Sequence, residues 1–450
     1  MIRIRFVAPA ALLAALSAAP SLRADLESYV KAPDGCFAFK VEKTLDVPGT
    51  GSILTVRLIS QKWQGIEWQH WLSIIRPEKL NHPDTALLVV SGGSVKKDPP
   101  ERLSREAMVL ASIAQRTGSV VAVLQQVPNQ PLFENLKEDA LIAYTFEKFL
   151  GSNDETWPCL LPMTKSAVRA MDAVQAVLKE KGPQEVKRFV VTGASKRGWT
   201  TWLTAAIDPR VCAIAPMVID TLNMPEQMPH QILSFGKYSE EIEDYTRLNL
   251  PGRLGEPGSQ KLVALVDPFS YRRKFTMPKL IVLGTNDRYW PVDAVKLYFG
   301  DLPGEKLIHY VPNAGHGLGP GAVEAISAFY QSVLQGEGRP RFAWNLEKNG
   351  REASLSVQPE EAPLRAELWK ASSPTRDFRD AQWTSSEPEK TDGSNVRARL
   401  AIPEEGFAAF FVRLAYRSSL GHDYTLATNV EVLGEKPAPK AAGGGAAGEK

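Results

Sequence analysis

Ser195, Asp287 and His316 are residue types that together could carry out acyl transfer: a hydroxyl nucleophile, an imidazole to take its proton, and a carboxylate to hold the imidazole. Ser195 lies in V-V-T-G-A-S-K-R-G-W-T-T-W, Val190 to Trp202. The apolar, β-branched run Arg188–Thr192 predicts a buried strand, and Thr200–Ile207 an amphipathic helix. Strand, Gly-x-Ser, helix is the outline of a nucleophile elbow, which lifts the serine hydroxyl clear of the backbone at a helix N-terminus. The usual second glycine is displaced: position 197 is Arg197, and glycine follows at Gly198. Gly-x-Ser after a strand also occurs in ordinary turns, so the serine must be weighed with its partners.

Six histidines compete for the role of base. His316, in P-N-A-G-H-G directly after the strand-like L-I-H-Y-V, sits in a glycine-flanked loop suited to presenting an imidazole at a strand's carboxyl end. His309 lies inside that strand, to be packed or turned to solvent; His70 belongs to an edge hairpin, His82 and His422 to distant loops. His230 falls in an insertion, where it is either a surface residue or a substrate contact. K-L-I-V-L-G-T-N-D-R-Y-W-P-V-D supplies the carboxylate, with a buried strand, a turn at Gly284-Thr285-Asn286, and then Asp287. Asp293, farther on, is expected to cap a helix beginning near Ala294. The chain order Ser, Asp, His, each just past its own strand, is that of the α/β-hydrolases. Oxyanion donors are expected from the Lys196 amide and from Gly93 or Ser94 in the loop Ser91-Gly92-Gly93-Ser94 that follows an early strand. No G-K-[ST] follows those glycines, which argues against a phosphate loop. The candidate substrate contacts are Arg197, Asn223, His230 and Trp290, while Glu226 or the Glu240-Glu241 pair could hold a substrate amine.

These residues need a sheet to carry them. Two alternating stretches between Ile53 and Ile75, parted by Gln64-Gly65, predict antiparallel strands at a sheet edge. Strands at Thr85–Val90, Val120–Leu124, Phe189–Thr192, Ala213–Ile219, Leu280–Leu283 and Leu307–Val311 then alternate with helices around Arg102–Arg116, Glu138–Phe149, Met163–Lys181 and Gly321–Leu334. That pattern predicts an α/β fold: a mostly parallel sheet covered on both faces, with its site at the carboxyl ends of the strands. The alternation stops between Met224 and Thr276, an insertion placed to form a lid. From Arg339 to Leu433, about six short alternating runs with polar turns predict a small β-sandwich.

The expected organisation is a signal peptide over 1–24, a hydrolase domain over 25–338, a β-rich domain over 339–433 and a disordered tail over 434–450. Arg3 and Arg5 precede an apolar run from Phe6 to Ala19, and Ala24 stands before Asp25 as a cleavage site would require. The run is shorter than the roughly 20 residues of a membrane span, so the mature chain is expected to be secreted or periplasmic. A formal net charge of +2 gives no electrostatic case for nucleic acid. Cys36, Cys159 and Cys212 have no CxxC spacing for zinc; one disulfide plus a free thiol is possible. No cofactor and no metal are expected.

The elbow motif, with G-T-N-D-R-Y-W-P-V-D, N-A-G-H-G, L-E-S-Y-V-K-A-P-D and D-T-L-N-M-P-E-Q-M-P-H-Q, resembles the PhoPQ-activated pathogenicity-related proteins from about Asp25 to Leu433. The resemblance implies an exported protein with an α/β-hydrolase core and leaves the chemistry poorly defined. Glucuronoyl esterases are similar in having a basic residue after the serine and glycine at the third position, which implies that Arg197 is compatible with an elbow and hints at an anionic substrate. The leading reading is a serine hydrolase acting on a small-molecule ester, a glycan ester or a peptide. The alternative is a non-catalytic binding or signalling protein that retains the fold. Lys196 and Arg197 are expected either to form structural ion pairs or to recognise a substrate carboxylate.

Overall fold

A computed structural model describes residues 25–33, 35–49, 51–99, 105–181, 185–319, 321–391 and 394–435. The proposed signal peptide and most of the proposed tail lie outside the described residues.

The chain begins with α1 (Leu26–Lys31) and three antiparallel strands, β1 (Ala38–Val47), β2 (Gly51–Trp63) and β3 (Ile66–Pro77). Then follow β4 (His82–Val90), α2 (Arg105–Thr117), β5 (Ser119–Leu124), α3 (Glu138–Ser152), α4 (Leu160–Lys181), β6 (Arg188–Ala194), α5 (Lys196–Ile207) and β7 (Val211–Met217). The insertion carries α6 (Met224–Phe235), α7 (Glu243–Thr246), α8 (Pro257–Val266) and three short 3₁₀ turns. The chain re-enters the sheet at β8 (Lys279–Gly284) and β9 (Lys306–Val311), and α9 (Ala322–Gln335) follows. The nine strands are ordered β1-β2-β3-β5-β4-β6-β7-β8-β9. From β5 to β9 all neighbours are parallel. Without β1 this is the α/β-hydrolase strand order, and the fold is of that class.

The parallel strands are continuous apolar runs because both faces are buried. Ala86, Leu88 and Val90 of β4 point into one core with α3, α4 and α5, whereas Leu87 and Val89 point into the other with α2 and α9. Sequence patterning finds the buried strands but misses β1, whose mixed burial gives no clean alternation. Because β1 pairs with β2, the Ile53–Ile75 hairpin is not at the edge. His82 opens β4 rather than sitting in a loop.

Beyond α9, strands β10 (Phe342–Asn349), β11 (Glu352–Pro359), β12 (Arg365–Ser373), β13 (Thr384–Ser386), β14 (Glu389–Lys390), β15 (Val396–Ala401), β16 (Gly406–Arg417), β17 (Asp423–Ala427) and β18 (Glu431–Glu435) form two antiparallel sheets. Nine strands replace the six expected, because two- and three-residue strands leave no periodic signal. The strand β18 also claims Gly434 and Glu435, residues assigned to the tail by composition. In β16, Phe407, Ala409 and Phe411 join the core on the α3, α4 and α5 side of the large sheet, whereas Phe410, Val412 and Leu414 join the core that α2, α9 and the four-stranded sheet share. This module is therefore built onto the hydrolase unit. No disulfide joins any pair of Cys36, Cys159 and Cys212.

Candidate active site

The elbow is set by close packing at two glycines. A methyl group on Gly198 would lie 2.7 Å from Ile219 and 2.9 Å from the Met217 carbonyl, and one on Gly193 would lie 2.7 Å from the Arg197 carbonyl. The strand-to-helix crossing thus needs glycine at 198, not 197, which accounts for the displaced motif. Ser195 itself adopts φ 57°, ψ −127°, a backbone region that costs a non-glycine residue of order 1–3 kcal/mol. It is held there by its own N–H to the Met217 carbonyl (2.9 Å) and by the Trp199 N–H to its carbonyl (3.0 Å). The helix α5 begins immediately at Lys196, four residues before the patterned start at Thr200, so the Lys196 amide is among the N-terminal N–H groups with no partner inside the helix.

His316 and Asp287 come together from the loops after β9 and β8. Asp287, 7% exposed at its side chain, accepts the His316 Nδ1 proton at 2.9 Å (Oδ2) and 3.1 Å (Oδ1), and its Oδ1 also accepts the Tyr289 N–H at 2.9 Å. The other imidazole nitrogen, Nε2, is buried and has no hydrogen-bond partner. Tyr289 stacks on the ring, centroids 4.3 Å apart. His316, Ser195, Lys196 and Trp290 line one cavity, with an empty volume of about 850 Å³ that opens to solvent. A hydroxyl and an imidazole with one nitrogen fixed and the other free can exchange a proton with a group bound between them.

The carbonyls of the loop after β4 are tied to the segment that follows β5. The Gly92 carbonyl accepts from Gln126 N–H (2.8 Å), that of Ser94 from Gln126 Nε2 (3.2 Å) and that of Gly93 from Gln130 Nε2 (3.4 Å). Gly93 has φ 107°. Gly93 and Ser94 are not among the cavity-lining residues.

Arg197 does not reach the cavity. Its guanidinium donates to both Glu138 oxygens (2.8 and 2.7 Å) and its Nε to the Val127 carbonyl (2.5 Å), while it packs against Gly92 so closely that a methyl there would meet it at 2.4 Å. Burial alone would raise the Glu138 carboxyl, but the Arg197 guanidinium overrides it and holds the group down at about 2. Lys196 bonds Asp139 at 2.7 Å, and Asp139 also accepts from Tyr245 OH (2.9 Å) and Tyr289 OH (3.2 Å). The structural ion-pair reading of the two cations is the one the geometry matches.

Several expectations are corrected. Asp293 stands at the N-cap position of Ala294–Leu297, as expected, but its side chain makes no capping bond; the buried carboxylate accepts from His230 Nε2 at 2.7 Å and from Arg376 instead. That pair removes His230 from both surface and substrate roles. Asn223 gives its Nδ2 to the Leu297 carbonyl (2.8 Å) and starts α6, away from the cavity. Glu240 is paired with Arg288 and Arg379, and Glu226 is exposed outside the cavity lining. His309 and His70 are buried, and desolvation pushes each imidazole down to about 4. Asp139, Tyr245 and Tyr289 went unrecognised in the sequence, although Tyr289 stands two residues after Asp287. No group of three or more His, Cys, Asp or Glu side chains among the described residues could hold a metal.

A family model described as PhoPQ-activated pathogenicity-related protein matches residues 26–379. "Autocrine proliferation repressor protein A" of Dictyostelium discoideum is 34% identical over 448 residues, covering 90% of this chain and 89% of that one. Solved structures with similarity include acetyl xylan esterase 1 from Thermoanaerobacterium (TM-score 0.48, 17% identity, 69% of this chain and 93% of that chain). Another is a glucuronoyl esterase from Solibacter usitatus (TM-score 0.39, 13% identity, 68% and 86%).

Proposed function

The chain belongs to the PhoPQ-activated pathogenicity-related protein family, and from that premise we propose that it is an exported serine hydrolase that cleaves a carboxylic ester or a peptide through an acyl-enzyme. Ser195 Oγ attacks the carbonyl carbon. His316 Nε2 takes the hydroxyl proton and then gives it to the departing oxygen or nitrogen. Asp287 keeps the Nδ1–H oriented and balances the imidazolium that forms. The Lys196 N–H, at the start of α5, receives the oxyanion, and water repeats the sequence to release the acid. The observation that carries this reading is the shared cavity: a serine held at an unfavourable φ faces the same space as an imidazole whose Nδ1 is clamped by a buried carboxylate and whose Nε2 is unpartnered.

Export rests on the charged-then-apolar pattern of residues 1–24 and on Ala24 as a cleavage position. Among the described residues no helix is long and apolar enough to cross a membrane. The domain boundary is proposed near Gly338, a choice supported by the break in secondary structure between α9 and β10.

The relative named an autocrine proliferation repressor favours one further reading, a secreted signalling protein that keeps the fold without turnover. A fluorophosphonate probe separates the two. The hydrolase reading expects covalent labelling of the wild type at Ser195, lost in Ser195→Ala together with turnover of an ester or aminoacyl substrate panel. A folded wild type that is neither labelled nor active would leave the signalling reading standing.

A further inference from the structure

The cavity beside Ser195 is apolar, and its few charges are already spent on one another. Half of its lining comes from the insertion between β7 and β8, including Met228, Ile242, Leu254, Leu262 and Val263, facing Trp199 of α5. Only three titrating groups of carboxylate, amine or imidazole type line it: Asp139, Lys196 and His316. Asp139 is saturated by Lys196, Tyr245 and Tyr289, and the Lys196 ammonium lies between Asp139 (2.7 Å) and Glu138 (3.5 Å), which in turn neutralises Arg197. Two carboxylates and two cations cancel, leaving no free charge to receive an ionic substrate group. A carboxylate entering this space would lose its hydration with nothing to replace it.

Resting on the serine-hydrolase reading, we propose that the site selects an uncharged, apolar acyl group larger than acetyl, a medium-length aliphatic or arylalkyl chain, which the insertion encloses. The acyl side is favoured over the leaving side by the order of events. A leaving group must depart before water enters, whereas the acyl group stays bonded to Ser195 and suits a space roofed by the insertion.

The test uses p-nitrophenyl esters of acetic, butyric, hexanoic, phenylacetic and succinic acids, alongside acetates of alcohols of increasing length. Each methylene transferred from water to an apolar wall is worth about fourfold (~0.8 kcal/mol), so kcat/KM is expected to rise by about two orders of magnitude from acetyl to hexanoyl. The hemisuccinate should be turned over more slowly than butyrate. Val263→Phe and Leu254→Trp, both half-buried wall positions, should lower the ratio of hexanoyl to acetyl kcat/KM at least tenfold. A labelled, active enzyme that prefers acetyl or succinyl esters, or whose rate follows the alcohol rather than the acyl chain, overturns the acyl proposal and leaves the hydrolase reading intact. A folded protein unlabelled at Ser195 and inactive on the whole panel overturns both.

Discussion

Arg197→Met should destabilise the protein without changing what it hydrolyses. The Arg197 side chain is 11% exposed, forks onto Glu138 with two bonds, and also satisfies the Val127 carbonyl. Removing one partner of a fully buried pair costs about 3–5 kcal/mol. Here Glu138 is 40% exposed, so water can solvate much of the stranded carboxylate, and the expected loss falls to about 2–3 kcal/mol. For a chain of this size that is a fall in Tm of roughly 2–3 °C, read by thermal unfolding. Glu138 adds a pH signature. Its folded pKa of about 2 lies below the ordinary carboxylate value of 4.5, so the pair's contribution is complete above pH 4.5 and is lost as pH falls toward 2. The stability gap between wild type and Arg197→Met should therefore narrow as pH drops through that window. Among the molecules still folded, kcat/KM should fall by the same factor for neutral and acidic esters. An unchanged Tm with KM raised for acidic esters alone would refute this account and make Arg197 a substrate contact.

Asp287→Asn is expected to lower kcat by about 10⁴ with little loss of fold, whereas Asp293→Asn should cost about 3 kcal/mol of stability by breaking the buried His230 and Arg376 contacts yet keep kcat within a few-fold. Chemical unfolding and single-turnover kinetics on both variants check the assignment, and the reverse pattern would exchange the two roles. Asn286→Ala should lower kcat about tenfold at constant KM, because Asn286 Nδ2 ties the turn before Asp287 to the Arg379 and Ala381 carbonyls at 3.1 and 2.8 Å; a rise in KM with unchanged kcat would deny it a positioning role.

The α/β unit was legible because its buried strands and amphipathic helices obey local periodicities, and each candidate for the triad stands directly after such a strand. Ser195, Asp287 and His316 follow β6, β8 and β9 by one, three and five positions, close enough for pattern alone to bring them to one sheet edge. Arg197 was ambiguous because its partner, Glu138, is 59 positions away, beyond the reach of any spacing argument. The Asp293 side chain was misread for the same reason: an aspartate before a short helix looks like a cap, and only the fold brings His230 and Arg376 to it. The short strands β13 and β14 carry exposed polar residues and owe their pairing to β12 and β15 rather than to their own sequence.

The β-rich module bears on the candidate site through segment 376–383, which lies against both loops of the acid–base pair. Asn286 holds its carbonyls on one side, and on the other Asn313, three residues before His316, exchanges two bonds with the Trp383 backbone, donating to its carbonyl at 3.0 Å and accepting its N–H at 2.8 Å. Thr285 links the two loops, its hydroxyl donating to Asn286 Oδ1 at 2.7 Å and accepting the Asn313 N–H at 2.8 Å. The separation of Asp287 from His316 is thereby set by backbone bonds to a third element instead of by two glycine-containing loops alone. Trp383 is buried, with its ring 5.5 Å from that of Phe411 in β16, so the brace is anchored in the core that the module shares with the α/β unit. A unit cut at Gly338 would lose Asn286's and Asn313's partners together, leaving the loops of Asp287 and His316 without this brace. The C-terminal sheets are thus part of what holds the site in shape, and the serine side of the cavity, built within β6 and α5, has no such dependence.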